Sequence, residues 1–176
     1  LDREELEVEE FYRRMASSVE LPQTAAPAPG AFQEVFRRRF AEGADAIVCV
    51  NLSSGVSATM ESSELAAREV DGDVRVVDSR SVTAGLGVMV QAAAQAAAGG
   101  ASADEVVTLV EGMRDRTRVF GAIDTLENLK KGGRIGNAQA LLGSMLSIKP
   151  LIDISSGVVE EAGRQRTRKK SLGWLR

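Results

Sequence analysis

The sequence predicts an α/β protein: a parallel sheet with helices on both faces, followed by the start of a second, smaller antiparallel α+β subdomain. Three observations carry that expectation. Short continuous apolar runs at 46–50, 74–77 and 119–123 alternate with segments of helical periodicity, the pattern of covered strands joined through helices. The hydrophobic content is 44% but the aromatic content only 4%, so the core is aliphatic. Near residue 149 the pattern changes to a hairpin, 148–154 and 158–161 around the turn Ser155, Ser156, Gly157,. The expected division is therefore 1–148 for the α/β domain and 149–176 for the beginning of the second subdomain.

Each element has its own local reason. Residues 7–18 place Val8, Phe11, Tyr12 and Met15 at i, i+3, i+4 and i+7, an amphipathic helix,. Residues 21–30, LPQTAAPAPG, form a connecting loop, because each proline pushes its predecessor towards extended backbone,. Pro29 opens a second helix at its first turn, with Phe32, Val35, Phe36 and Phe40 facing inward,. Helices are predicted over 56–70, 83–98 and 104–114; Ser102 and Glu105 make a capping box for the last,. Segment 86–98 is Ala-rich, broken only by Gln91 and Gln95, and reads as a buried helix. A short helix with Leu126 and Leu129 on one face ends at Lys130 and Lys131, before Gly132 and Gly133. Glycine there lets the chain turn back with positive φ. A further helix after Gly136 carries Leu141, Leu142, Met145 and Leu146.

Composition narrows the function. The 176 residues suit one domain, or one and part of another,. A net charge of −3 argues against a general nucleic-acid binder,. With no histidine and one cysteine, Cys49, the commonest general base, the Ser–His nucleophile pair and a zinc site are disfavoured,. A single cysteine suits a reducing, cytoplasmic setting. No run approaches the ~18 apolar residues of a membrane span. The acidic start, without an initiator Met, is unlike a secretory signal and reads as a fragment of a longer chain,.

Several segments carry possible chemistry. Residues 51–59, NLSSGVSAT, leave a buried strand and enter a helix, the place where α/β sheets bind ligands,. Free backbone N–H groups and the helix dipole favour an anion there. Ser53, Ser54, Ser57 and Thr59 add hydroxyl donors and no base, but on pattern alone the simpler reading is one serine as a helix cap and the rest solvated,. The loop lacks the Gly-x-Ser-x-Gly spacing of a nucleophile elbow. Asp78 and Asp124 follow strands and are better read as capping or ion-paired residues, Asp78 with Arg80, than as bases. Residues 132–136, GGRIG, do not match a phosphate-binding Walker loop,. Residues 164–170, RQRTRKK, place five cations in seven positions, most simply a solvated helix start,.

In that order and at those separations, the stretches 51–59, 77–87, 124–136, 147–150 and 164–170 resemble the DegV family of bacterial lipid-binding proteins. The resemblance covers nearly the whole chain. It implies a longer family pattern, with a strand ahead of Leu1 and a further antiparallel portion beyond Arg176. It also implies a long-chain fatty acid, such as palmitate or oleate, held in an apolar tunnel, with no other cofactor and no metal. In family members that serve a fatty acid kinase, the carboxylate is presented to a separate kinase protein, and the binding subunit is not the catalyst. The family's Thr-Ser-Gln-Pro-Ser motif stands here as Thr24, Ala25, Ala26, Pro27, Ala28, and its Ser-Ser-Gly-Leu-Ser-Gly-Thr motif as 53–59, SSGVSAT. The resemblance therefore assigns Thr24 and Ser57 to the carboxylate, with Ser54 as a neighbour, and makes Arg134 and Arg166 candidate head-group or partner contacts. It leaves room for transient contact with a membrane surface. The rival reading is an enzyme on a small phosphorylated substrate, with Arg134 and the Gly132–Gly133 turn holding phosphate and Asp78 as base.

Overall fold

The computed structural model describes residues 6–141 and 148–176. The first half runs α1 (Val8–Ser17), α2 (Pro29–Ala41), β1 (Ala46–Asn51), α3 (Thr59–Arg68), β2 (Asp73–Asp78), α4 (Thr83–Ala98) and α5 (Ala103–Arg114). Then come β3 (Phe120–Ala122), α6 (Glu127–Lys131), a 3-10 helix (Gly136–Leu141), β4 (Lys149–Asp153), β5 (Glu160–Gln165) and α7 (Arg168–Trp174).

β1 and β2 pair in parallel, from Ala46 opposite Asp73 to Asn51 opposite Asp78. Their period-two alternation gives the pair two apolar faces. Ile47, Cys49 and Val74 pack with Phe36 and Phe40 of α2, Ala66 of α3, and Val70 just beyond it. Val48, Val50 and Val77 meet Met89 and Ala93 of α4 and Val106 and Val110 of α5. Helices therefore cover both faces, as the continuous apolar runs require. The Ser102 capping box is present: its Oγ accepts from the Glu105 N–H at 3.3 Å, and a Glu105 carboxylate oxygen accepts from the Ser102 N–H at 2.8 Å.

The third apolar run joins a different sheet. β3 pairs antiparallel with β4, and β4 with β5, in the order β3–β4–β5. Antiparallel pairing thus begins at β3, ahead of the 149–165 hairpin. A three-residue apolar strand has no periodicity that selects parallel or antiparallel partners; the buried Leu151 and Ile152 of β4, opposite Ala122 and Gly121, make the selection. β5 reaches Gln165, so Arg164 is a strand residue. The helix of the cationic run starts later, at Arg168, capped by Thr167, whose side chain accepts from the Lys170 N–H at 3.2 Å.

Other differences have local causes. α3 starts at Thr59 rather than 56, because the Ser57 hydroxyl captures the Thr59 N–H at 3.2 Å and offers the backbone an alternative to the helix,. α4 buries one narrow stripe, Gly85, Met89 and Ala93, and leaves Val88 and Val90 exposed. Its alanines secure the helix by propensity, so full burial is not needed. Val8 and Tyr12 of α1 and Val35 of α2 are likewise exposed. Gly132 keeps a right-handed helical conformation, and the turn back falls on Gly133 (φ 70). The helix expected after Gly136 is a 3-10 turn, and Leu142, Met145 and Leu146 lie outside the described residues.

Candidate functional site

Asn51 and Asp78 end the two parallel strands side by side, and the loops that follow are bonded to each other. The Ser79 N–H donates to the Asn51 carbonyl at 3.1 Å, and the Ser53 N–H to the Ser81 carbonyl at 2.9 Å. The Asn51 side-chain amide donates to Ser63 Oγ of α3 at 2.9 Å, and Ser63 Oγ to the Met60 carbonyl at 2.7 Å. These bonds fix the chain at both ends of 52–58.

Within that loop the hydroxyls have different surroundings. Ser53 is buried; it donates to the Gly157 carbonyl at 2.5 Å and accepts from the Gly55 N–H at 3.2 Å. Ser54 is exposed, and its Oγ donates to Asp78 Oδ2 at 2.6 Å. Ser57 and Thr59 are half-buried, with their hydroxyl oxygens 2.8 Å apart.

Asp78 acts on backbone rather than on a cation. Its Oδ1 accepts from the Arg80 N–H at 2.8 Å and the Ser54 N–H at 3.3 Å. No ion pair joins it to the Arg80 guanidinium among the described residues; the bond runs through the Arg80 peptide, which sits at φ 48. This is the turn-capping role with a different partner atom, and it leaves Asp78 poorly placed as a free base. Asp124 lies 2.9 Å from Lys149 Nζ and 3.9 Å from an Arg168 nitrogen. The Lys149 ammonium, followed by Arg168, holds its carboxyl below the usual carboxylate range.

Of the other residues singled out by sequence, only Arg134 contacts this loop among the described residues. Thr24 lies exposed between α1 and α2, and among the described residues its side chain makes no hydrogen bond. Arg134 reaches the loop directly: Nε donates to the Val56 carbonyl at 3.2 Å and Nη1 to the Gly132 carbonyl at 2.6 Å. The residue is exposed, but its guanidinium is already shared between two carbonyls. Arg166 is exposed between β5 and α7. Sequence reasoning missed the partnership of Ser53 with Gly157. The Ser155–Gly157 turn was visible as a turn, but nothing in local patterning points to its contact in space.

A cavity of about 610 Å³ opens along β1 on the α4–α5 face, lined by Ala46, Val48, Val50, Val90, Ala97 and Val106 among others. It shares no residue with the hydroxyl loop. It flanks a strand that pairs on one side only among the described residues, and is better understood as a gap at the sheet edge than as a head-group site.

The arrangement can grip an anion through hydroxyls beside the N-terminus of α3, a ten-residue helix, with no base poised over it,. No helix among the described residues is long and apolar enough to cross a membrane.

Comparison with known proteins identifies the family of the chain. The family model described as "Uncharacterised protein, DegV family" matches residues 1–176. A DegV domain-containing protein of Streptomyces coelicolor is 41% identical over 152 residues, 86% of this chain and 54% of its own length. A fatty-acid-binding DegV family protein of Thermus thermophilus superposes with TM-score 0.88 at 38% identity, over 96% of this chain and 60% of that one. A stearic-acid-binding protein of Eubacterium ventriosum superposes with TM-score 0.83 at 25% identity, over 96% and 59%. The chain thus spans less than two thirds of the length of these relatives. By sequence along its whole length and by fold, it belongs to the DegV family.

Proposed function

We propose that this chain carries the head-group site of a long-chain fatty-acid-binding protein. The observation that carries the reading is the pair Ser57 and Thr59, half-buried hydroxyls at the carboxyl end of a parallel strand. The chain's 38% identity to a fatty-acid-binding protein of the same fold supports it. Ser57 and Thr24 are the proposed carboxylate ligands. Each charge-assisted hydrogen bond contributes about 1.5–3 kcal/mol. The acyl chain, palmitate or oleate, supplies most of the affinity in an apolar tunnel, at about 0.8 kcal/mol per buried methylene.

The chemistry then belongs to a partner. A loop of neutral hydroxyls binds and orients a carboxylate without activating it, which suits a binding subunit rather than a catalyst. In this reading the protein works in the cytoplasm and presents the carboxylate to a separate fatty acid kinase, for acyl-phosphate formation in phospholipid metabolism. Arg134 beside the loop and Arg166 within the cationic run are the proposed contacts to head group or partner. The same cations offer transient contact with an anionic membrane surface. Because β3 pairs with β4, the second subdomain is proposed to begin at β3, ahead of the expected division at 148/149.

Two measurements test this. Mass spectrometry of an organic extract of purified protein should find a long-chain fatty acid near stoichiometry. Replacing Thr24 and Ser57 together with Ala should weaken oleate binding at least tenfold while leaving the circular dichroism spectrum unchanged. Wild-type protein that ignores oleate but binds phosphate esters would favour the phosphorylated-substrate enzyme instead.

A further inference from the structure

The hydrogens around Asp78 divide the serine loop into a part that is held and a part that is free. Asp78 accepts three hydrogen bonds, two of them from Ser54: the N–H at 3.3 Å and the hydroxyl at 2.6 Å. The third comes from the Arg80 N–H at 2.8 Å. A hydroxyl has a single hydrogen. With that hydrogen directed at Asp78, Ser54 presents only lone pairs to any third group, and a carboxylate lies directly behind it. Such a group repels an anion. At Ser57 and Thr59 the count differs. The Thr59 N–H occupies a lone pair of Ser57 Oγ at 3.2 Å, and the two hydroxyls share one hydrogen across 2.8 Å. Among the described residues their second hydrogen has no acceptor, which leaves it to a ligand.

We infer that Asp78 is a positioning residue for the head-group site: it holds Ser54 and Arg80, thereby sets the course of residues 53–59, and leaves the Ser57–Thr59 pair to supply the hydroxyl hydrogen a carboxylate takes. The backbone supports this division. Arg80 sits at φ 48, a conformation unfavourable for a residue with a side chain, and the Asp78 carboxylate accepts its N–H,. The inference rests on the fatty-acid reading for its ligand, but not for its geometry.

The test compares Asp78→Ala and Asp78→Asn with the wild-type chain, using oleate and oleyl alcohol as probes. The alcohol keeps the tail and lacks the charged head group. Asp78→Ala should weaken oleate roughly tenfold or more and oleyl alcohol less than about threefold. Asp78→Asn should recover much of the oleate affinity, since its amide oxygen still accepts from the Ser54 and Arg80 N–H groups. Equal losses for both probes, or no loss for either, would overturn the inference. Hydrogen exchange on ligand-free protein provides the separate readout: the Ser54 and Arg80 amides should exchange faster in Asp78→Ala than in wild type or Asp78→Asn. Unchanged protection there would overturn the positioning role regardless of lipid. Wild-type protein that binds neither probe would instead remove the fatty-acid reading, and exchange alone would then decide for or against Asp78.

Discussion

Ser53 and Gly157 are joined by a hydrogen bond across 104 positions of the chain: the serine hydroxyl donates to the glycine carbonyl at 2.5 Å. Both residues are buried. The bond fastens the turn between β4 and β5 to the loop that ends β1, so the parallel and antiparallel sheets meet at the proposed head-group loop. The approach is close on both sides. A Cβ on Gly157 would stand 2.9 Å from Ser53 Oγ, and one on Gly55 would stand 2.7 Å from both the Gly157 carbonyl oxygen and Val158 Cγ1.

Gly157→Ala should therefore destabilise the protein twice over, through backbone strain at φ +94 and through the collision with Ser53. Strain of this kind alone costs more than about 1 kcal/mol. Gly100→Ala is the control, since Gly100 has φ +90 with nothing within 4 Å of the added carbon. Urea denaturation should show a larger loss for Gly157→Ala. Equal losses would mean that the turn does not press on the serine loop.

How far sequence reaches is clear from particular residues. The capping box at Ser102 and Glu105 and the span of α4 follow from rules that act within four residues, and both stand as expected. The alternation of Ile47 and Cys49 against Val48 and Val50 announces a strand with two covered faces. β3 is different: Phe120, Gly121 and Ala122 contain nothing that names β4 as their partner. The same limit applies at the site. The hydroxyls of 53–59 are legible as donors, but their division is not, because it depends on Asp78 and Gly157, which come from other loops.

Packing at Met89 gives a second prediction. Its side chain is fully buried among Val77, Ala93, Val106 and Val110, where β2 meets α4 and α5. Met89→Ala should cost about 2–5 kcal/mol, lost transfer energy plus an unfilled cavity. Val88→Ala and Val90→Ala, on the two exposed flanks of the same helix, should stay within about 0.5 kcal/mol,. Denaturation midpoints of the three variants check this, and similar losses for all three would mean that α4 is covered on both sides.

The capping box makes stability depend on acid. Hydrogen bonds from the Ser102 backbone N–H, and then from its hydroxyl, hold the Glu105 carboxyl below its ordinary value. A depressed value in the folded state means the ionised cap stabilises above the unfolded pKa of ~4.3, and the contribution is lost as pH falls through the folded value. Glu105→Gln should flatten the acid limb of a stability–pH curve between about pH 5 and pH 3. A limb of unchanged steepness would assign the acid sensitivity to other carboxylates.

At the alkaline end the relevant group is Cys49. Burial pushes its thiol up, opposed in part by the hydrogen bond that the Asn51 side-chain amide donates to Sγ at 3.5 Å. The thiol packs beneath β1 with Phe36, Ala66 and Val70, and its ionised form has no place there. Because the folded value is raised, the contribution of the neutral thiol is fully present below the unfolded pKa of ~8.5. It declines as pH rises through the folded value. Stability should therefore fall as pH rises above about 8.5, and Cys49→Ala should remove that slope even while lowering stability at neutral pH. Labelling by a disulfide reagent at pH 8 should also be at least tenfold slower in the native protein than in urea, since the thiolate is the reacting form. Rapid native labelling would mean that the Cys49 side of β1 opens to solvent far more often than its packing implies.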